Sequence, residues 1–246
     1  MDMLNTGLPN LQTLIPMVDD PDNGNAIVAY ASLVAVYSMG LPAVQQHHSG
    51  APRSPLDALF HIFDLARGTA HIYEKAYHVV REGPLKPITQ VDIFKNADPT
   101  SIHLAPTFQR RTTLEKIDEL CRWLDDSNEP KDKILHCKVA HERLVRVAYN
   151  TLMPNEQVSG HEVLPWVAVL DGEYINALRE RYPPALTILI YFCLLLRDDC
   201  WYTKGWRAWI LDSTDALTLP VPWGDLVLWA QHQVRTDREF LDIRNP

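Results

Sequence analysis

The sequence predicts an all-α fold, on three observations. Apolar residues recur at helical spacing over long stretches, above all in Pro55–Arg81, Thr112–Asp125 and Lys131–Leu152. No stretch shows sustained alternation bounded by hairpin turns. The longest uncharged apolar runs, Ala26–Tyr37 and Ala185–Leu196, are 12 residues each. As helices they would be about 18 Å long against a hydrocarbon core of about 30 Å, which excludes a membrane span. The expected architecture is one domain of about eight helices around a single core enclosing an apolar internal pocket.

Residues 1–25 read as an irregular arm, rich in Pro and Gly and ending in the turn-forming Asp19-Asp20-Pro21-Asp22-Asn23-Gly24. Leu4, Leu8, Leu11 and Leu14 are its expected anchors. The pocket domain follows, from 26 to 246. Its first element, Asn25–Tyr37, is apolar almost all round; its alanines and 13-residue length favour a buried helix over a strand, stopped by Gly40 and Pro42. A polar loop covers Gln45–Pro55. Ser54 as N-cap, Pro55 in the first turn and Asp57 near the positive helix end then open the longest helix.

After a proline-containing loop, Gly83–Pro106, Thr112 and Glu115 stand at capping-box spacing before a helix with Leu114, Ile117, Leu120, Cys121 and Leu124 on one face. Lys131–Leu152 carries Ile134, Leu135, Val139, Leu144, Val145 and Ala148 as inner positions. His161–Arg181 reads as a shorter helix or a pair of turns. Pro183-Pro184 starts the apolar helix Ala185–Leu196, which Arg197-Asp198-Asp199 ends. Lys204–Leu211 and Trp223–Val234 complete the set.

Composition narrows the function. A formal charge of −8 with scattered Lys and Arg excludes a general nucleic-acid surface. The four cysteines form no CxxC, and the first residues show no signal peptide, so a reduced, cytoplasmic protein is the economical reading. Cys137 and His141 stand four apart, too weak a set for a metal; a buried Cys beside a surface His is the simpler reading. No GxSxG, P-loop or GxGxxG is present, and neither metal nor cofactor is expected.

Two features suggest a site. On the Pro55–Arg81 helix, Leu56, Leu59, Phe60, Phe63, Ala66, Ala70, Tyr73 and Tyr77 form an apolar side that Ile62, Leu65 and Ile72 widen. The narrow polar sector left over holds His61, Asp64, Arg67 and His71. It faces either solvent, as a stripe of local ion pairs, or a ligand cavity. The second feature is aromatic: seven Trp and nine Tyr, with Trp201, Trp206, Trp209 and Trp223 close together. Rings with one polar tip either fill a core or wall a deep apolar pocket.

Three stretches carry a family resemblance. Asn25–Tyr37, LDALFHIFDLARGTAHI (Leu56–Ile72, with Arg67-Gly68), and ALTILIYFCLLLRDDCWYTKGWRAWIL (Ala185–Leu211), together with the late PVPWGDLVLWA, resemble the C-terminal regulatory domain of fungal zinc-cluster transcription factors. The sterol-uptake regulators are the nearest subfamily. The resemblance implies an α-helical fold holding a sterol-like molecule in an apolar cavity. The chain departs from the family in lacking six closely spaced cysteines, a basic linker and a coiled coil, so it cannot read DNA in the family's way.

Two functions follow as expectations. The first is a cofactor-independent cyclase or isomerase, Diels–Alderase-like, acting on a hydrophobic terpenoid or polyketide of secondary metabolism. His61, Asp64, Arg67 and His71 are its polar catalytic wall; Phe60, Phe63, Tyr191, Trp201, Tyr202 and Trp206 are its ligand-binding apolar wall. The second is a sterol-sensing regulatory domain, nuclear rather than cytoplasmic. Either takes a hydrophobic small molecule as partner, and a homodimer stays open.

Overall fold

Helical periodicity becomes helix nearly everywhere it was expected. The computed structural model describes residues 13–45, 55–86, 108–152, 164–196, 206–207, 210–214 and 219–244, and the fold is all-α, with no strand among them. After a short 3-10 turn, Ile15–Met17, come α1 (Gly24–Gln45), α2 (Pro55–Val80), α3 (Phe108–Asp126) and α4 (Lys131–Leu152). They are followed by α5 (Leu164–Ala168), α6 (Gly172–Arg179), α7 (Pro183–Cys193) and α8 (Trp223–Arg244). Residues 206–207 and 210–214 are also helical.

The chain divides into two compact units: Met1–Pro52, Phe60–Ile93 and Val167–Val169 form one, and Arg53–Leu59, Phe94–Trp166 and Leu170–Pro246 the other. Neither boundary falls at residue 25, where composition placed the end of the arm. The reason lies in the core of the first unit, where Val18 packs with Ile27, Val28 and Ala31 of α1 and with Ile72, Ala76 and Val80 of α2. Val18 anchors the early segment, with Ile15 partly buried beside it, whereas Leu14 is exposed. Gly24 is needed at this junction. A Cβ there would stand 2.5 Å from the Val18 carbonyl oxygen and 3.1 Å from Val79 Cγ1. Helix α1 runs through Gly40 and Pro42 rather than stopping there. A proline removes one hydrogen bond from the ladder and need not end it.

In the second unit α7 is the organising element. Every residue from Pro184 to Cys193 is buried. It packs against α4, α6 and α8, while α3 packs on α4 and α6 on α4. Several buried polar groups of this unit find partners. Trp166 Nε1 donates to the Ala140 carbonyl at 2.9 Å, and Tyr174 donates its hydroxyl to the Ala185 carbonyl at 3.0 Å. The Trp166 ring stacks on Phe192 with centroids 4.4 Å apart. Asp171 caps α6 by accepting from the Tyr174 amide at 2.7 Å. The same helix ends with Arg181 in the left-handed region (φ 56°), the Tyr182 amide reaching back to the Ala177 carbonyl.

Three face assignments shift. Helix α3 starts a turn before the Thr112–Glu115 pair, so Thr112 lies inside it rather than at its cap, and Cys121 is exposed rather than on the inner face with Leu114, Ile117, Leu120 and Leu124. The buried side of α4 is centred on Cys137, Ala140, His141, Leu144 and Ala148; Leu135 is exposed. His141, read from the sequence as a surface residue, is buried, with Nε2 donating to the Ile117 carbonyl at 2.7 Å. A polar ring that satisfies one carbonyl of a neighbouring helix sits inside an apolar stripe, and spacing alone does not reveal it.

Burial holds the His141 imidazole below its ordinary pKa, despite the opposing pull of the Ile117 carbonyl and of Asp118 and Asp125. The unfolded chain therefore binds a proton that the folded chain resists. The stabilisation is complete above about pH 6.5 and declines as pH falls below that value. The urea midpoint should drop between pH 7.5 and pH 5, and drop less in His141→Leu; an equal drop in both would assign the effect elsewhere. Ile188→Ala, on the buried central helix, should cost about 2–5 kcal/mol by denaturant titration.

Candidate ligand site

The residues singled out from sequence fall in different places. His61, Asp64 and His71 are exposed on α2, and Arg67 is half-buried. Arg67 approaches Asp64 at 3.8 Å and His71 approaches Glu74 at 4.0 Å, both pairs one helical turn apart. This polar sector is a solvated stripe of local pairs, the plainer of the two readings that its spacing allowed. Phe60 and Phe63, also on α2, are buried. All six belong to the first unit. Tyr191 and Trp206 belong to the second and are fully buried. Trp201 and Tyr202 lie outside the described residues.

Tyr191 differs from its neighbours on α7. The other polar side chains of that helix are matched: Thr187 donates its hydroxyl to the Pro183 carbonyl at 2.9 Å, and the Cys193 thiol reaches the Arg207 carbonyl at 3.9 Å. The Tyr191 hydroxyl is buried without a hydrogen-bond partner. An orphaned buried hydroxyl costs about 1–3 kcal/mol. Burial pushes its pKa well up, and the charge of Glu119 pushes it further. At neutral pH the group is a neutral phenol, able to donate one hydrogen bond in an apolar setting.

A small cluster surrounds this phenol, drawn from three helices. The Trp229 ring of α8 lies tilted against Tyr191, centroids 5.8 Å apart, and is half-buried. The Lys116 ammonium of α3 stands 5.9 Å from the Trp229 ring centroid. Lys116 also donates to Glu119 at 2.7 Å, and the two side chains are about one-third exposed. That bond and the Trp123 indole hold the Glu119 carboxyl below its ordinary pKa, against a smaller opposing effect of burial. Lys116 and Glu119 are thus partly exposed, the Trp229 ring is half-buried and the Tyr191 side chain is fully buried. Sequence reasoning named Tyr191 but missed Lys116, Glu119 and Trp229. The Lys-x-x-Glu spacing is common on solvated helices, and nothing local ties it to a Trp more than a hundred residues away.

Two hollows open on the second unit. One, about 470 Å³, lies at the α3–α4 turn among Asp125, Glu129, Lys131 and Lys138; the other, about 160 Å³, lies between α4 and α6 beside His136 and Glu180. Most residues around both are charged or polar, and neither is the enclosed apolar pocket expected from the sequence. His136 pairs with Asp171 at 3.0 Å and Lys133 with Glu180 there, which ties α4 to both ends of α6. No group of three or more metal-ligating side chains occurs among the described residues. Burial pushes the Cys137 thiol up to about 12, far from the thiolate that a metal needs. No helix among the described residues is long and apolar enough to cross a membrane. The chain matches no family model, no curated protein and no solved structure.

Two substitutions should separate the phenols of this core. Tyr191→Phe removes an unmatched hydroxyl and should stabilise the fold by about 1–3 kcal/mol. Tyr174→Phe removes a matched one and should destabilise it by about 1 kcal/mol. Equal losses in both, by chemical denaturation, would mean that Tyr191 is satisfied in solution.

Proposed function

We propose that this chain is a cofactor-independent cyclase or isomerase for a hydrophobic terpenoid or polyketide intermediate, with Tyr191 as its polar handle. The observation that carries the reading is the buried, unmatched Tyr191 hydroxyl on a buried, uncharged helix. A ligand carbonyl would restore the missing hydrogen bond, so affinity comes from a group the fold leaves at a cost.

The chemistry follows from what such a donor can do. A phenol held neutral by burial neither gives up its proton nor takes one at physiological pH; it polarises. Donation to a carbonyl conjugated with an alkene draws electron density from that alkene, which lowers the barrier to cycloaddition with a diene in the same molecule. Holding a flexible chain folded so that the reacting carbons are near contact contributes the orientation term. Two C–C bonds form as π bonds are consumed, no atom enters or leaves, and the product is an isomer. The ring of Trp229 would serve as the flat surface against which the substrate folds. His61, Asp64, Arg67 and His71 have no part in this scheme. The resemblance of Asn25–Tyr37 and Ala185–Leu211 to a sterol-holding regulatory domain supports the ligand class.

The test is incubation of the purified chain with an extract of lipophilic precursors, followed by mass spectrometry. One compound should disappear as another of equal mass appears, and Tyr191→Phe should slow the conversion about 100-fold. Tight binding without conversion would refute the catalytic reading and leave the sensing one.

A further inference from the structure

Helix α1 is apolar on two sides, and only one of them is buried. Ile27, Val28, Ala31, Val34 and Ala35 point inward, the first three packing with Val18 and α2. At 3.6 residues per turn the opposite side carries Ala26, Tyr30, Leu33 and Tyr37. All four are exposed, Leu33 at 67 % and Tyr37 at 53 %, and the exposed Val36 flanks them. Their spacing of four, three and four residues is that of a helix–helix seam, in which each side chain drops between those of a facing helix. No residue from Gly24 to Gln45 is charged. A lipid surface is a poor match for such a helix. Helices that lie on membranes set Lys and Arg beside their apolar face, whereas α1 has neither and follows Asp19, Asp20 and Asp22.

We infer that this seam docks a second copy of the chain, the two α1 helices lying antiparallel about a two-fold axis. Side-chain size selects that register. Turned end for end about a point between Tyr30 and Leu33, the Tyr37 of each copy meets the Ala26 of the other, and each Tyr30 meets a Leu33. The bulkiest ring then lies over the smallest side chain. A parallel pairing would set Tyr37 on Tyr37 and leave two alanines facing across a gap. The lack of charge lets two copies of a chain with a net charge of −8 meet here with no like charges in the contact. Tyrosine suits a face that is wet in the free chain and covered in the pair. Four side chains and a flank fall well short of a standard interface, with about 20–30 residues a side, so the pair is weak and depends on concentration. Nothing in it depends on Tyr191.

Sedimentation equilibrium of the purified chain tests this. The apparent mass should climb from that of one chain toward that of two, with a dissociation constant of about 10–100 µM. Leu33→Glu should weaken association about tenfold or more, whereas Leu135→Glu, at an exposed leucine of α4, should leave it unchanged. Tyr30→Lys alone should weaken it as Leu33→Glu does. The two variants mixed should pair with each other, because the antiparallel register sets the new positive charge of one copy against the new negative charge of the other. Both positions are exposed, so circular dichroism should show each variant folded. A chain that stays single well above that concentration, or a dimer that Leu33→Glu leaves intact, would overturn the inference. So would a single chain that sediments with phosphatidylcholine vesicles through Leu33. Mixed variants that fail to pair would overturn the antiparallel docking.

Discussion

Helix α7 has to be buried on every side, and most of the second unit is arranged to allow it. Eleven residues with no charge, Pro183–Cys193, cannot be left in water without exposing a continuous apolar cylinder. Helices α4, α6 and α8 pack on it, and their own polar groups are turned to uses that keep the interior dry. Trp166 and Tyr174 each spend their one donor on a helix carbonyl, at Ala140 and Ala185. His141 does the same toward α3 at Ile117. Within that economy an unmatched Tyr191 hydroxyl stands out. The fold tolerates this cost on its central helix, as it does at the Tyr182 hydroxyl just before it.

Such a cost is the usual mark of a group kept for something other than stability. A phenylalanine would fill the same volume. The cluster around the hydroxyl bears on the same point, since it grades from charged to aromatic to neutral donor over three helices. Lys116 and Glu119 pair where they are partly solvated, and the Trp229 ring lies near both Lys116 and Tyr191.

Much of the fold was legible before the structure. The bounds of α4 agree at both ends, α2 agrees to a residue at its close, and the stretch His161–Arg181, read as a shorter helix or a pair of turns, holds the two short helices α5 and α6. Period carried these readings, and period is what burial imposes on a helix. Face assignment was less secure wherever a polar residue was buried or an apolar one exposed, as with His141 and Leu135 on α4. The site was legible only through Tyr191. The sector of α2 with His61, Asp64, Arg67 and His71 drew attention because it was narrow and polar, but narrowness follows from the breadth of the apolar side and says nothing of what the polar side faces. Lys116 of α3 and Trp229 of α8 come together through tertiary packing, which no local pattern encodes.

The hydrogen bond from Tyr191 to a ligand oxygen is the link on which this account turns, and vibrational spectroscopy reads it directly. A neutral cyclic ketone carrying carbon-13 at its carbonyl, bound to the wild-type chain, should show its carbonyl stretch at lower wavenumber than in hexane, as donation lengthens the C=O bond. In Tyr191→Phe with the ketone still bound, the band should return to its hexane position. A bound ketone whose stretch is the same in both proteins would contradict the account, because the phenol would then be no handle at all.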